Sequence, residues 1–179
     1  MRTDYRSYKR FFEESWLELE EQFRKEIVNP QQENDVICYL YHALAKRFLK
    51  KKWRLSLIRT EDTRHIRRQL LRPDLNLNDL VFVEVKFYPL RNYRKGWMRR
   101  RQNIAYYVKK LEEYIADVKS ASSINVRRPV LAIWFWKNER KKRFPLEAKL
   151  IDDELERKLE KERDRYKDRV TITYGPRRR

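Results

Sequence analysis

Asp74, Glu84 and Lys86 are the residues of this chain whose types and spacing are best suited to chemistry. Glu84 and Lys86 lie two residues apart in an apolar run typical of a β-strand, so their side chains point to the same face. Asp74 precedes that run, and residues 76–79 are rich in Asn and Asp, which favour a turn. A hairpin over residues 72–88 would bring the Asp74 carboxylate beside Glu84. Two carboxylates and an amine at one place would form an oxygen-rich site for a divalent cation.

The same residues also have an ordinary structural interpretation. In a chain of which 40% of the residues are charged, a Glu-x-Lys triplet arises by chance. Glu84 and Lys86 would then form a solvated ion pair on the polar face of the hairpin. The opposite face of the strand is apolar and would pack in a core through Val81, Val83, Val85 and Phe87.

Pro73-Asp74, nine intervening residues and Glu84-x-Lys86 together resemble the signature of the PD-(D/E)XK nuclease superfamily. The resemblance implies a restriction-endonuclease-like αβββαβ core and a metal-dependent deoxyribonuclease. It implies that Asp74, Glu84 and the backbone carbonyl of Val85 bind Mg²⁺ or Mn²⁺. It also implies that Lys86 positions or deprotonates the nucleophile, and that cleavage leaves a 5′-phosphate and a 3′-hydroxyl.

Glu33 is a candidate third acidic residue of the site. It lies at the start of the second predicted helix, on the same stripe as Ile37, Leu40 and Leu44. A carboxylate there is either an N-terminal charge favoured by the helix dipole or a group aimed at the metal. It resembles the helical acidic residue of Holliday-junction resolvases and of many restriction endonucleases in the superfamily. His42 lies on the other side of this helix and is not expected to be a ligand.

Gln102 and Tyr106 are four residues apart on the helix after the hairpin and therefore share a helix face. This Gln-x-x-x-Tyr spacing resembles an additional motif of the RecB-type branch, and the resemblance implies that both residues orient the substrate strand or the metal-bound carboxylates. The ordinary alternative is a surface Gln and a half-buried Tyr. We expect a structure-selective, resolvase-like endonuclease of DNA repair or recombination. A RecB-type exonuclease and a non-catalytic basic nucleic-acid-binding protein on the same fold remain open.

Basic residues are concentrated around the candidate carboxylates. The net charge is +18; residues 51–101 contain fifteen basic and five acidic side chains, whereas residues 1–50 are neutral overall. Such an excess neutralises backbone phosphates, which favours double-stranded or branched DNA as the partner. The residues expected to contact nucleic acid are Arg72, Arg91, Arg94, Lys95, Arg99, Arg100 and Arg101. Aromatic residues that could stack on bases are interleaved with them at Tyr88, Tyr93, Trp97, Tyr106 and Tyr107.

Composition excludes several other classes. Cys38 is the only cysteine, which rules out an intrachain disulfide and a cysteine-ligated metal centre. No apolar run approaches the roughly 20 residues that span a bilayer, and no signal-peptide core is present. We therefore expect an intracellular protein without a membrane partner, in the cytoplasm or nucleoid of a prokaryote or in the cytoplasm of a virus-infected host. Abundant Lys, Arg and Glu with two Gly is typical of a thermophile.

The apolar periodicity predicts one α/β domain over residues 1–179, with a mixed sheet flanked by helices. An N-terminal helix lies in residues 1–30, the αβββαβ core in 31–137, a further helix and strand in 138–175, and a mobile basic tail in 176–179. The helices are predicted at 4–28, 32–50, 97–118 and 146–167, and the strands at 53–59, within 72–88, at 130–136 and at 170–174. The stripe from Phe12 to Ile27 either packs on its own core or forms a homodimer across a two-fold axis.

Overall fold

The computed structural model describes residues 5–60, 73–90, 93–121, 129–136 and 149–178. Within these ranges the chain forms four α-helices and five β-strands, so the α/β class predicted from the sequence is confirmed. The helices are α1 (Tyr5–Arg24), α2 (Glu33–Lys50), α3 (Tyr93–Ala121) and α4 (Asp153–Tyr166). The strands are β1 (Ile58–Thr60), β2 (Leu75–Leu77), β3 (Val81–Pro89), β4 (Val130–Trp136) and β5 (Thr171–Gly175). None of the described helices is long and apolar enough to cross a bilayer.

The five strands form one mixed sheet in the order β1-β2-β3-β4-β5. β1, β2 and β3 are antiparallel neighbours, whereas β4 runs parallel to β3 and β5 runs parallel to β4. β2 pairs only with residues Val81 to Val83 of β3, while β4 pairs with β3 from Val83 onward. Beyond Val83, no strand of the described residues pairs with the edge of β3 that faces β2. We call this part of β3 its uncovered edge.

The sheet is covered by helices on both faces. On one face α1 and α2 pack against the alternate β3 residues Val81, Val83 and Val85 in one apolar cluster. On the other face α3 and α4 pack against Leu131 and Ile133 of β4 in a second cluster. β4 is apolar on both faces because it is central, which is the pattern of a strand buried between helical layers. The polar residues of β3 therefore lie between the sheet and α3.

The apolar stripe of α1 is part of the core. Phe12, Trp16 and Phe23 are buried, and the rings of Trp16 and Phe23 lie 5.6 and 5.4 Å from that of Trp134 in edge-on contacts. Ile27 lies beyond the end of α1 and is 68% exposed. The stripe thus has a partner within its own chain, and it does not provide the surface on which the homodimer was predicted.

The strand predicted at residues 53–59 is wrong over most of its length. Residues Leu55 to Leu57 form a 3₁₀ turn, and β1 begins only at Ile58. The reason is that Trp53 closes the end of α2: its N–H donates to the carbonyl of Phe48 at 2.8 Å, and its ring packs against Phe11 and Phe48. The alternating apolar residues Trp53, Leu55 and Leu57 predict a strand, but Trp53 packs at the end of α2 and the two leucines belong to the 3₁₀ turn.

The basic tail predicted to be mobile at 176–179 is anchored at its start; Arg179 lies outside the described residues. Pro176 is buried, and its carbonyl accepts the N–H of Ile151 at 3.1 Å. Arg177 donates to both carboxylate oxygens of Glu20 on α1, at 3.3 and 3.4 Å, and Glu20 is 1% exposed. The tail therefore joins α1 to the end of the sheet.

This ion pair gives a stability prediction. Arg177→Met should lower the free energy of unfolding by about 3 kcal/mol, because it leaves a buried carboxylate without its counter-charge. The double variant Glu20→Leu/Arg177→Met should recover most of that loss, since it removes both charges. Urea unfolding curves measure both effects. Lys25→Met, which breaks the exposed pair between Lys25 and Glu21, is the control and should cost less than about 1 kcal/mol. A similar loss of unfolding free energy in Arg177→Met and in Lys25→Met would contradict the prediction.

Candidate active site

Successive side chains on the polar face of β3 contact successive side chains on one face of α3. At the start of the strand the ring of Phe82 lies 4.9 Å from that of Tyr114. One step further the Lys110 ammonium lies 3.0 Å from Oε1 of Glu84. Glu84 is only 2% exposed, so the interpretation of Glu84 and Lys86 as a solvated surface pair is wrong.

The contacts between β3 and α3 continue toward the end of β3. The Lys86 ammonium lies 4.8 Å from the centre of the Tyr107 ring, a favourable cation–π contact. Tyr88 lies beside Asn103 and Tyr107, and burial raises the pKa of its hydroxyl to about 12. The α3 residues in this series are spaced by four, three and four, which is the spacing of a single helix face.

Glu33 reaches this face from the first turn of α2. Its Oε1 lies 3.2 Å from the Lys86 ammonium, which also lies 3.0 Å from Oε1 of Glu84. The N-terminal capping is performed instead by Asp35, whose Oδ2 accepts the N–H groups of Gln31 and Gln32. Of the two interpretations of Glu33, the structure therefore favours a group directed at the site.

Asp74 occupies the uncovered edge of β3. Its Oδ2 accepts the backbone N–H of Val85 at 2.6 Å, taking the place of a strand partner beyond the end of β2. The N–H and carbonyl of one strand residue point to the same side, so the Val85 carbonyl is directed to this edge as well. Burial, together with the negative charge of Glu84, raises the pKa of Asp74 to about 7, although Lys86 and the Val85 N–H oppose the change.

Lys86 is surrounded by negative charge. Burial tends to lower its pKa, but Glu84, Asp74 and Glu33 outweigh that effect, and the net result is a pKa above the ordinary lysine value. Lys86 therefore remains an ammonium group at neutral pH. In this state it is suited to positioning a nucleophile or neutralising a phosphate, rather than to removing a proton.

The available donors are chemically suited to a hard divalent cation. Asp74, Glu84 and Glu33 provide carboxylate oxygens and Val85 provides a carbonyl, the ligand type that Mg²⁺ and Mn²⁺ prefer. Yet no three Asp, Glu, His or Cys side chains of the described chain lie close enough together to form a ready-made ligand set. The Lys86 and Lys110 ammonium groups both contact Oε1 of Glu84, each at 3.0 Å.

Gln102 and Tyr106 do not face the carboxylates. Both lie on the solvent-exposed face of α3, and Tyr106 is 63% exposed. The face toward β3 is one residue further along the helix, and it carries Asn103, Tyr107 and Lys110. A single residue step turns a helix by about 100°, so the Gln-x-x-x-Tyr pair points away from the site.

The residues expected to contact nucleic acid lie partly outside the described part of the structure. Arg72 and Arg91 lie outside the described residues. The backbone of Arg94, Lys95, Arg99 and Arg100 belongs to the first two turns of α3, but their side chains lie outside the described part of the structure. Arg101 is engaged elsewhere: its Nε lies 3.1 Å from Oε1 of Glu162, a buried residue of α4. Arg101 therefore links the two helices of this layer.

Comparison with known proteins gives no family for this chain. The sequence matches no protein-family model, no curated protein and no solved structure. Its function must therefore be inferred from the residues described above.

Proposed function

We propose that the protein is a metal-dependent DNA nuclease, and within that class a structure-selective, resolvase-like endonuclease. One observation carries the proposal: Glu33 and Glu84, from separate segments, both contact the Lys86 ammonium, and Asp74, from a third segment, lies near enough for their charges to affect its pKa. Asp74, Glu84 and Lys86 are the residues of the sequence motif, and Glu33 is the candidate third acidic residue. A purely structural role would not require Glu33 and Glu84 to share the Lys86 ammonium, with a third carboxylate, that of Asp74, within reach of its charge.

The order of elements supports the same proposal. From α2 to β4 the chain runs helix, three antiparallel strands, helix, and a strand parallel to the third. This is the αβββαβ order that the resemblance implies for a restriction-endonuclease-like core. α1, α4 and β5 would then be additions to that core, which extend the sheet and cover its faces.

A bound Mg²⁺ or Mn²⁺ would provide a Lewis acid for the phosphate and a more acidic bound water. Asp74, Glu84 and the Val85 carbonyl would hold the ion, and Glu33 would bind it through water or hold a second ion. Lys86, kept charged by its three carboxylate neighbours, would position the attacking water and neutralise a phosphate oxygen. The burial of Glu84 keeps these interactions in a medium of low polarity, which strengthens them.

Two features favour an endonuclease over a RecB-type exonuclease. The helical acidic residue Glu33, which resembles that of the resolvases, contacts Lys86. The pair that resembles the RecB-type motif, Gln102 and Tyr106, faces solvent instead.

A second candidate function is a non-catalytic nucleic-acid-binding protein on the same fold. One specific observation favours it: Lys86 and Lys110 already compensate the charge of Glu84, and the described residues contain no preformed three-residue metal set. In that case the carboxylates would hold the two lysines in place, and the basic surface alone would bind DNA.

A substrate panel separates these functions. Linear, nicked, flapped and four-way DNA should be incubated with Mn²⁺, with Mg²⁺ and with EDTA, and binding to each should be measured in EDTA. We expect internal cuts in flapped or four-way DNA that require the metal. Shortening from ends alone would favour the exonuclease, and binding without cleavage in either metal would favour the second candidate. The Asp74→Asn protein, purified in parallel, controls for contaminating nucleases.

A further inference from the structure

Lys110 makes a contact that the sequence motif does not account for. Its ammonium lies 3.0 Å from Oε1 of Glu84, the same oxygen that Lys86 contacts at 3.0 Å. Two ammonium groups on one carboxylate oxygen repel each other, and a single buried carboxylate needs only one counter-charge. One of the two lysines is therefore held less strongly than the other.

The surroundings identify Lys110 as the weakly held group. Lys86 is 12% exposed and has two further partners, the Glu33 carboxylate and the Tyr107 ring. Lys110 is 25% exposed, and Glu84 is its one charged partner among the described residues. A lysine on a helix surface can change its side-chain rotamer and move its ammonium group into solvent without a shift of the backbone. Lys110 can thus leave Glu84 at little structural cost, whereas Lys86 cannot.

We propose that Lys110 is a displaceable counter-cation of the site, released from Glu84 when a divalent cation binds and then available to a DNA phosphate. This inference rests on the proposed nuclease function. When ionised, Asp74, Glu84 and Glu33 carry three negative charges, against two positive charges on Lys86 and Lys110. A divalent cation changes the balance from −1 to +1, which a phosphodiester group would neutralise.

The exchange couples metal and DNA binding. A cation at Glu84 repels the Lys110 ammonium, so each competes with the other for the carboxylate. Once released, Lys110 adds one phosphate contact next to the reacting bond. The metal-loaded protein should therefore bind DNA more tightly than the metal-free protein, and part of that difference should depend on Lys110.

The first test measures Mn²⁺ binding without DNA by isothermal titration calorimetry. Lys110→Gln should bind Mn²⁺ on the order of 10-fold more tightly than the wild type, because the competing charge has been removed. Lys110→Arg keeps the charge and should stay near the wild type. The matched control is Lys109→Gln, which removes the same charge from the adjacent, exposed position of α3, where Lys109 pairs with Glu113. It should leave the affinity unchanged.

The second test uses the wild-type protein. Labelling with an amine-selective reagent, read by mass spectrometry, should show that Mn²⁺ increases the reactivity of Lys110 several-fold and leaves that of Lys109 unchanged. DNA affinity in Ca²⁺, measured with four-way DNA, should fall on the order of 10-fold in Lys110→Gln relative to Lys109→Gln. In EDTA the two variants should be alike.

The outcomes separate the two proposals. If the wild type takes up Mn²⁺ but Lys110→Gln binds it with equal or lower affinity, Lys110 is a structural partner of Glu84 and the inference is wrong, while the nuclease proposal stands. Unchanged labelling of Lys110 in Mn²⁺ leads to the same conclusion. If the wild type takes up no Mn²⁺ at all, the nuclease proposal itself fails.

Discussion

Asp74→Asn and Lys86→Met should each reduce Mn²⁺-dependent DNA cleavage by at least about 10³-fold, because each removes a charge that would hold the cation or stabilise the transition state. Asp74 and Lys86 lie on different structural segments and share Glu84 as a neighbour. If they act as one unit, the double variant should be no worse than the more damaging single variant. If the two residues act independently, the loss of activity in the double variant should instead be the product of the two single losses.

The measurement is single-turnover nicking of the best substrate from the panel, with DNA binding measured in parallel in EDTA. Binding in EDTA should change little, because the site lies within a protein of net charge +18. The control is Glu113→Gln, which removes an exposed carboxylate of α3 that pairs with Lys109 and has no contact with the site. Full activity in a folded Asp74→Asn or Lys86→Met protein would exclude that residue from catalysis.

Glu84→Gln should abolish cleavage as well, but it is a less selective test. Glu84 is buried and is the shared partner of Lys86 and Lys110, so its neutralisation leaves two ammonium groups with less compensation in a buried site. A loss of stability is then expected together with the loss of activity. Asp74 is only partly buried and carries its charge at a cost to the fold, which makes Asp74→Asn the better variant.

Much of the fold could be predicted because local periodicity and burial agree. The alternation in β3 separates Val83 and Val85 from Glu84 and Lys86, and the structure places the two sets on opposite faces. The continuous apolar run of β4 predicted a strand covered on both sides, and Val130–Trp136 is the observed strand. The strand predicted at residues 53–57 is wrong because contacts of Trp53 with α1 and α2, which no local pattern shows, determine the conformation of that segment.

The site could be predicted only where it depends on strand geometry. Glu84 and Lys86 share a face in any β-strand, so their partnership follows from spacing alone. The face of α3 that contacts them depends on how that helix lies across β3 and β4, which no local pattern specifies. The buried residues Ile104, Val108 and Leu111 pack against β4, and the face beside them, with Asn103, Tyr107 and Lys110, is the one that meets β3. Knowledge of the strand order would have selected this face over Gln102 and Tyr106.

Asp74→Asn should also make the stability of the protein less dependent on pH. In the folded chain the pKa of Asp74 is about 7, whereas its ordinary value is 3.8, as expected for the unfolded chain. Between about pH 4 and pH 7 the folded chain therefore holds more protons than the unfolded chain. Wild-type stability falls as pH rises through this window and levels off above it. At low pH, where Asp74 is neutral in both states, no such cost arises.

Each pKa unit corresponds to about 1.4 kcal/mol, and partial solvent contact together with coupling to Glu84 and Lys86 should reduce the total to about 2 kcal/mol. At pH 8 Asp74→Asn should therefore be more stable than the wild type by about this amount, and at pH 4 the two should be alike. Chemical unfolding at a series of pH values measures the difference. Glu113→Gln should show no comparable gain. If Asp74→Asn is only as stable as the wild type at pH 8, burial of the ionised Asp74 carboxylate does not destabilise the fold.

Added Mn²⁺ should reverse this order of stability. A cation that binds the ionised Asp74 carboxylate stabilises the folded wild type in proportion to its occupancy, and a proton on Asp74 competes with it below about pH 7. Saturating Mn²⁺ should therefore raise the wild-type melting temperature at pH 8 more than at pH 5.5, and should raise that of Asp74→Asn little at either pH. An inactive variant that is more stable than the wild type without metal, and less stable with it, cannot be explained by misfolding. It would show that the carboxylate is kept at a cost to the fold because it binds the cation.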